Sequence, residues 1–204
     1  MRNIKTINIQ RAQQPATAPI GKQLTLADGV SLLNMLLGFS AVLLAFSGKP
    51  GLAAAAIIVA VVLDAIDGLI ARKYQATHDL GKHLDSLADF LSFGVAPAIL
   101  TWTIFGNTAP GIAFPLLLFV LCGGLRLARF NCLSTPGPYF GMPITANGIV
   151  LPMLFDLGAP MAGFTIWLIL SAALMVWNRK IEKRLLQVIA SGVIFLWIIL
   201  HWVL

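Results

Sequence analysis

Four carboxylates interrupt an otherwise apolar stretch of the chain. Between Asp64 and Asp89 the sequence reads DAIDGLIARKYQATHDLGKHLDSLAD. Asp64 and Asp67 are spaced i, i+3, and Asp85 and Asp89 are spaced i, i+4. At about 100° per residue, each pair projects from one face of its own helix. Gly68 and Ala71 share the face of Asp64, which is therefore stripped of bulk beside its acids, and Arg72 follows at the helix end. Four acids converging beside a membrane repel one another unless cations sit between them. Hard divalent cations such as Mg²⁺ take oxygen ligands and keep positions open for phosphate oxygens. The residues describe a metal site shaped to hold a pyrophosphate. A structural salt-bridge network is the competing account. By topology only Arg72, Arg126 and Arg129 are near enough to join it, which leaves at least one acid unpaired.

The elements that must position these acids are membrane helices. The chain has 204 residues, 58% of them hydrophobic and only 11% charged, with a mean hydropathy of +0.88. A soluble domain carries about 25% charged residues. The composition predicts an all-α integral membrane protein, a polytopic bundle of about seven transmembrane helices. Apolar runs fall at about 28–46, 51–72, 83–105, 111–130, 144–157, 160–177 and 185–203, the fifth being short for a span of about 20 residues. Residues 1–23 are polar and read as a cytoplasmic tail, and they lack the apolar core of a secretory signal. Residues 24–204 read as a single transmembrane catalytic domain. The alanine run Ala53–Ala56 predicts a close helix contact in the second span, within or between protomers.

The net charge of +6 carries topology rather than nucleic-acid binding. The basic residues lie between spans and form neither a stripe nor an aromatic platform for bases. With the N-terminus inside, thirteen of the fourteen Lys and Arg residues lie on the inner side and Lys49 alone lies outside. The same topology brings Asp64, Asp67, Arg72, Asp85, Asp89, Arg126, Arg129, Thr145 and Asn147 to one level of the inner leaflet, as a polar cavity open to the cytoplasm. Thr77 and His78 read as a solvated turn. Cys122 and Cys132, about 15 Å apart along a continuous helix, are too distant for a disulfide and read as free.

The spacing Asp-x2-Asp-Gly-x2-Ala-Arg-x8-Gly-x3-Asp-x3-Asp resembles the signature of the CDP-alcohol phosphotransferase family. Its eight fixed positions are filled here by Asp64, Asp67, Gly68, Ala71, Arg72, Gly81, Asp85 and Asp89. The resemblance implies a six-helix core, with one span extra to it, and a homodimer. It implies that Asp64, Asp67, Asp85 and Asp89 hold two divalent cations, Mg²⁺ or Mn²⁺, that grip the pyrophosphate of a CDP-linked lipid. It also implies that Asp89 is the general base. Gly68, Ala71, Arg72 and Gly81 would then contact the CDP-lipid. A carboxylate among cations is a weak base, so it must act on a hydroxyl already aligned for attack. Catalysis is then mainly positioning and electrostatics.

Further stretches bear on the acceptor. LRLARFN at 125–131, followed by the Gly141-Met142-Pro143 turn, is similar to the phosphatidylserine synthase branch of the family, as are ADGVSLLNMLLGFSAVL and LDSLADFLSFGVAPA. One departure from that branch is Thr145-Ala146-Asn147, where a more apolar continuation is expected. The branch implies transfer of a phosphatidyl group, or its ether-linked archaetidyl counterpart, to the hydroxyl of L-serine with release of CMP, at the cytoplasmic face of the cell membrane. Arg126 and Arg129 share a helix face, and a guanidinium fork suits a carboxylate or phosphate, so they are the candidate acceptor- or phosphate-binding pair. Snorkelling to headgroups is the plainer account of both. Acceptors such as glycerol 3-phosphate or inositol phosphate need a larger basic pocket than two arginines make. A divalent-cation transporter would show repeated halves with matching broken helices, and no second copy of the acidic motif exists.

Overall fold

A computed structural model describes residues 24–74, 79–132 and 141–178. The tail at 1–23, the Thr77–His78 turn, most of the basic linker at 178–184 and the seventh expected span at 185–203 lie outside them. Among the described residues the chain is entirely helical. Four helical rods are long and apolar enough to cross a membrane: Leu26–Phe46, Pro50–Ile70, Leu80–Phe105 and Pro110–Cys132. Two shorter apolar helices follow, Ile144–Asp156 and Met161–Val176. The protein is thus a multi-pass membrane protein. The fifth and sixth expected spans are present as helices below full crossing length.

Helix α1, Leu26–Phe46, begins at a capping box. The Asp28 amide donates to Oγ1 of Thr25, while the amide and hydroxyl of Thr25 both donate to Oδ2 of Asp28. This reciprocal pairing satisfies amides that the first turn leaves open, and it starts the helix slightly ahead of the apolar run. Beyond the C-terminus Gly48 takes φ +72°, a conformation that breaks the helix. Pro50 opens α2, Pro50–Tyr74, where its missing N–H costs nothing. Ala53 and Ala54 are buried in a seam with Ala41, Ala45 and Ile57. The alanine run therefore serves a contact within the protomer, through small side chains that let the helix backbones approach.

The third rod has three parts: α3, Asp79–Asp89; a π-helical segment, Phe90–Val95; and α4, Ala96–Phe105. The amide of Ala96 bonds to the carbonyl of Leu91, five residues back. Pro97 explains the widened turn, since it has no N–H for the ladder and its ring would crowd the carbonyl four residues earlier. Gly38 of α1 crosses this segment closely: a methyl group at Gly38 would lie 2.8 Å from Cα of Ser92.

Helix α5, Ala113–Cys132, returns to the level of the acids. Helix α6, Asn147–Asp156, is entered through Gly141, which has φ +71°, and a short 3-10 turn at Ile144–Ala146. Helix α7, Met161–Val176, packs on α5, and its Leu174 carbonyl accepts from the Met142 amide at 3.1 Å. The main apolar core gathers Phe93, Phe119, Ile144, Leu151, Phe164, Leu168 and Met175. Large apolar residues such as Leu36, Leu43, Leu117, Leu121 and Leu125 point outward, as lipid-facing positions do. Cys122 and Cys132 are both free.

Candidate active site

The acids come from the facing ends of α2 and α3. Oxygens of Asp64, Asp67 and Asp85 all lie within 4.8 Å of one another. Asp89 lies outside that trio, but its carboxyl group meets that of Asp64 at hydrogen-bonding range. Such a contact between two carboxyls stands only with a proton or a cation between them.

Each acid is held from a different direction. Oγ of Ser31 on α1 donates to Oδ2 of Asp67 at 3.0 Å, and Asp67 is buried. Oγ1 of Thr145, in the turn before α6, donates to Oδ2 of Asp64 at 3.4 Å. Oδ1 of Asp89 is buried and has no hydrogen-bond partner among the described residues. Three convergent oxygens and a fourth, orphaned one suit a hard divalent cation: the donors are oxygen only, and two oxygens on opposite sides of one Mg²⁺ sit about 4 Å apart. The residues present fit such an ion.

The surroundings of the acids are open in one place. A methyl group built on Gly68 would meet nothing within 4 Å among the described residues, so their packing does not demand a glycine there. Gly81 is half-buried on α3, and Ala71 and Arg72 lie in the last turn of α2, past Asp64 and Asp67.

The end of α5 is fastened to α3. Lys82 Nζ donates to the carbonyls of Phe130 and Asn131, at 3.3 and 3.2 Å, where a helix C-terminus leaves carbonyls unpaired. Ser86 Oγ donates to Oδ1 of Asn131 at 3.1 Å. This clamp holds the two arginines of α5, which differ in their setting. Arg126 is half-buried with its Nε inside the fold. Arg129 is exposed and donates to Oδ1 of Asn178, just past α7.

Asn147 departs from its expected place in the polar cavity. It is fully buried, its Nδ2 donates to the Ile144 carbonyl, and its Oδ1 accepts from Trp167 Nε1 at 3.1 Å. Its hydrogen bonds go into packing α6 against α7, because the 3-10 turn rotates it away from the face that Thr145 presents. Two contributors escaped the sequence reading. Ser31 and Lys82 make tertiary contacts with partners 36 and 48 residues away, a distance over which helical spacing carries no signal. The available hint was a stripe of polar residues, Ser31 and Asn34, within the apolar first span.

Comparison with known proteins gives a consistent picture. Residues 24–203 match the family model described as CDP-alcohol phosphatidyltransferase. The chain is 37% identical over 165 residues to a CDP-diacylglycerol–serine O-phosphatidyltransferase of Methanocaldococcus jannaschii, a match covering 80% of this chain and 77% of that protein. It is 38% identical over 143 residues to an archaetidylserine synthase of Methanothermobacter thermautotrophicus, covering 66% and 59%. It is 44% identical over 94 residues to a CDP-diacylglycerol–serine O-phosphatidyltransferase of Bacillus subtilis, covering 45% and 53%. The matched segment thus spans less than two thirds of the second and third of these relatives.

Proposed function

The chain belongs to the CDP-alcohol phosphatidyltransferase family, and we propose that it transfers a phosphatidyl or archaetidyl group from a CDP-linked lipid to the hydroxyl of L-serine, releasing CMP. The observation that carries this reading is the meeting of Asp64, Asp67 and Asp85 within 4.8 Å, on helices able to cross a membrane. The similarity to serine-specific relatives supports the choice of acceptor.

Asp64, Asp67, Asp85 and Asp89 would hold two divalent cations, Mg²⁺ or Mn²⁺. When bound, such ions supply Lewis-acid stabilisation of phosphoryl oxygens and of the departing CMP. Ser31 and Thr145 fix the carboxylates that they bond. Gly68 and Ala71 leave room for the nucleotide, Gly81 lets the backbone come close to it, and Arg72 meets the donor's phosphates. The orphaned Oδ1 of Asp89 takes the proton of the acceptor hydroxyl. Arg126 and Arg129 bind the serine carboxylate or the lipid phosphate. Residues 24–204 act as a single catalytic domain in the cell membrane, in a homodimer, with the N-terminus and the mouth of the site on the cytoplasmic side. The Lys and Arg distribution supports that orientation.

The test is CMP release by the purified protein from CDP-diacylglycerol, or its ether-lipid counterpart, with Mg²⁺ and L-serine. Parallel reactions replace serine with glycerol 3-phosphate, with inositol phosphate, or with no acceptor. Serine-dependent release that disappears in Asp89→Asn is the expected outcome. Release with a different alcohol overturns the acceptor, and no release with any acceptor overturns the transferase.

A further inference from the structure

Asn34 has a fully buried side chain, and neither Nδ2 nor Oδ1 has a hydrogen-bond partner among the described residues. Its position on α1 is fixed on both sides. One turn earlier, Ser31 bonds Asp67. One turn later, Gly38 packs on the backbone of Ser92, whose hydroxyl donates to the Asn34 carbonyl at 3.0 Å. Helices α1 and α3 run in one direction and pack directly on each other, while α2, which joins them in sequence, runs back. Asp89 precedes Ser92 by three residues, and Asp64 precedes Asp67 by three, so each acid is displaced by about 4.5 Å along its helix axis. Both displacements bring the acid to the level of Asn34. The Asp64 and Asp89 carboxyls are within hydrogen-bonding range of each other, and Oδ1 of Asp89, like the Asn34 side chain, is buried without a hydrogen-bond partner among the described residues.

A buried amide left unsatisfied costs about 1–3 kcal/mol, and leucine would fill this place in the stripe without that cost. The other buried polar residues of the stripe have partners: Asp28 with Thr25, and Ser31 with Asp67. The two orphans are complementary to one group. A hydroxyl accepts through its oxygen and donates through its hydrogen, and it keeps a second lone pair.

We propose that Asn34 is a substrate-binding residue that holds the attacking hydroxyl of the acceptor alcohol. Its Nδ2–H donates to the hydroxyl oxygen, and the hydroxyl hydrogen faces Oδ1 of Asp89. The remaining lone pair of the oxygen is directed at the phosphorus of the lipid-bearing phosphate. In the step, the hydroxyl oxygen bonds to that phosphorus and its proton passes to Asp89. The bond from phosphorus to the bridging oxygen of CMP breaks, and CMP leaves with the electron pair. Being neutral, the amide orients the nucleophile without pairing with the acids that must remain open to cations. This assignment rests on the phosphatidyl-transfer reading of the site.

The test compares Asn34→Leu with the wild type in the same acceptor panel. In Asn34→Leu the melting temperature stays the same or rises, because a buried orphan is removed. Protection against heat by Mg²⁺ with CDP is retained, because the cation and nucleotide sites are intact. Acceptor-dependent kcat falls about tenfold to a hundredfold, the loss of one hydrogen bond in a charged setting. Turnover within about threefold of the wild type overturns the proposal. If the leucine variant does not fold, Asn34→Ser and Asn34→Ala carry the same comparison. A faster serine variant, which keeps a donor, supports the contact, and equal rates overturn it. If the wild type uses an alcohol other than serine, the acceptor reading falls and the Asn34 comparison is made with that alcohol. If the wild type releases CMP with no acceptor at all, both readings fall.

Discussion

The hydroxyl of Ser31 on α1 donates to Oδ2 of Asp67 on α2 across 3.0 Å, joining the first helix to an acid of the cluster. Groups that hydrogen-bond a metal ligand set its orientation, and losing one costs about tenfold to a hundredfold in metal affinity. Ser31→Ala should raise the Mg²⁺ concentration needed for half-maximal thermal stabilisation by about tenfold. Thr145→Val should act in the same sense but less, since its bond to Asp64 is longer at 3.4 Å. An Mg²⁺ midpoint unmoved by Ser31→Ala would remove Ser31 from the site.

The contact between the carboxyls of Asp64 and Asp89 gives a second prediction. Without cations it works against the fold, so in a chelator Asp64→Asn should melt a few degrees above the wild type, which corresponds to about 1 kcal/mol. Adding Mg²⁺ should reverse the order. The wild type gains stability by mass action, and the variant, with a ligand lost, gains less. The measurement is a thermal melt of both proteins with and without Mg²⁺. A wild-type melting temperature indifferent to the metal would contradict a cation site.

Gly68 separates stability from binding. Among the described residues nothing lies within 4 Å of a methyl group added there. Gly68→Leu should therefore fold normally, with a gain of up to about 1 kcal/mol from helix propensity. If the open space belongs to the nucleotide, the same variant should bind CDP at least about tenfold more weakly, a loss near 1.4 kcal/mol. Titration calorimetry with CDP and Mg²⁺ checks this, and unchanged affinity would show that the nucleotide lies elsewhere.

Gly38 behaves in the opposite way. The backbone of Ser92 occupies the space that a side chain would need. Gly38→Val should destabilise the fold by about 1–3 kcal/mol, the usual cost of overpacking, and appear as a lower melting temperature in detergent. A neutral result would mean that α1 and the third rod can separate freely.

The two faces of paired acids were legible in the sequence because helical spacing alone determines which side chains share a face. Asp64 and Asp67 on one helix and Asp85 on the next meet once the two helices pack. The apolar rods were legible for a similar reason, since a span needs length and composition and nothing more. What helical spacing does not encode is contact between helices far apart in sequence. That is why the bond from Ser31 to Asp67 leaves no mark in the spacing, and why Asn147, grouped with Thr145, proved to be bonded into the packing of α6. Two residues apart at a 3-10 turn, they face different ways. The widened turn before Pro97 was illegible too, because proline in a membrane helix can be accommodated in several ways.

That widened turn at Phe90–Val95 works as a rotational coupling. A π turn holds an extra residue, so the part of the rod beyond it is out of phase with the part before it by about 100°. The end bearing Asp85 and Asp89 can therefore keep its acids aimed at α2, while the other end turns Ala96 and Leu100 into the alanine seam. One rod presents two faces whose directions are set independently. Side chains that tune the fit inside the bilayer can change without swinging the carboxylates out of line.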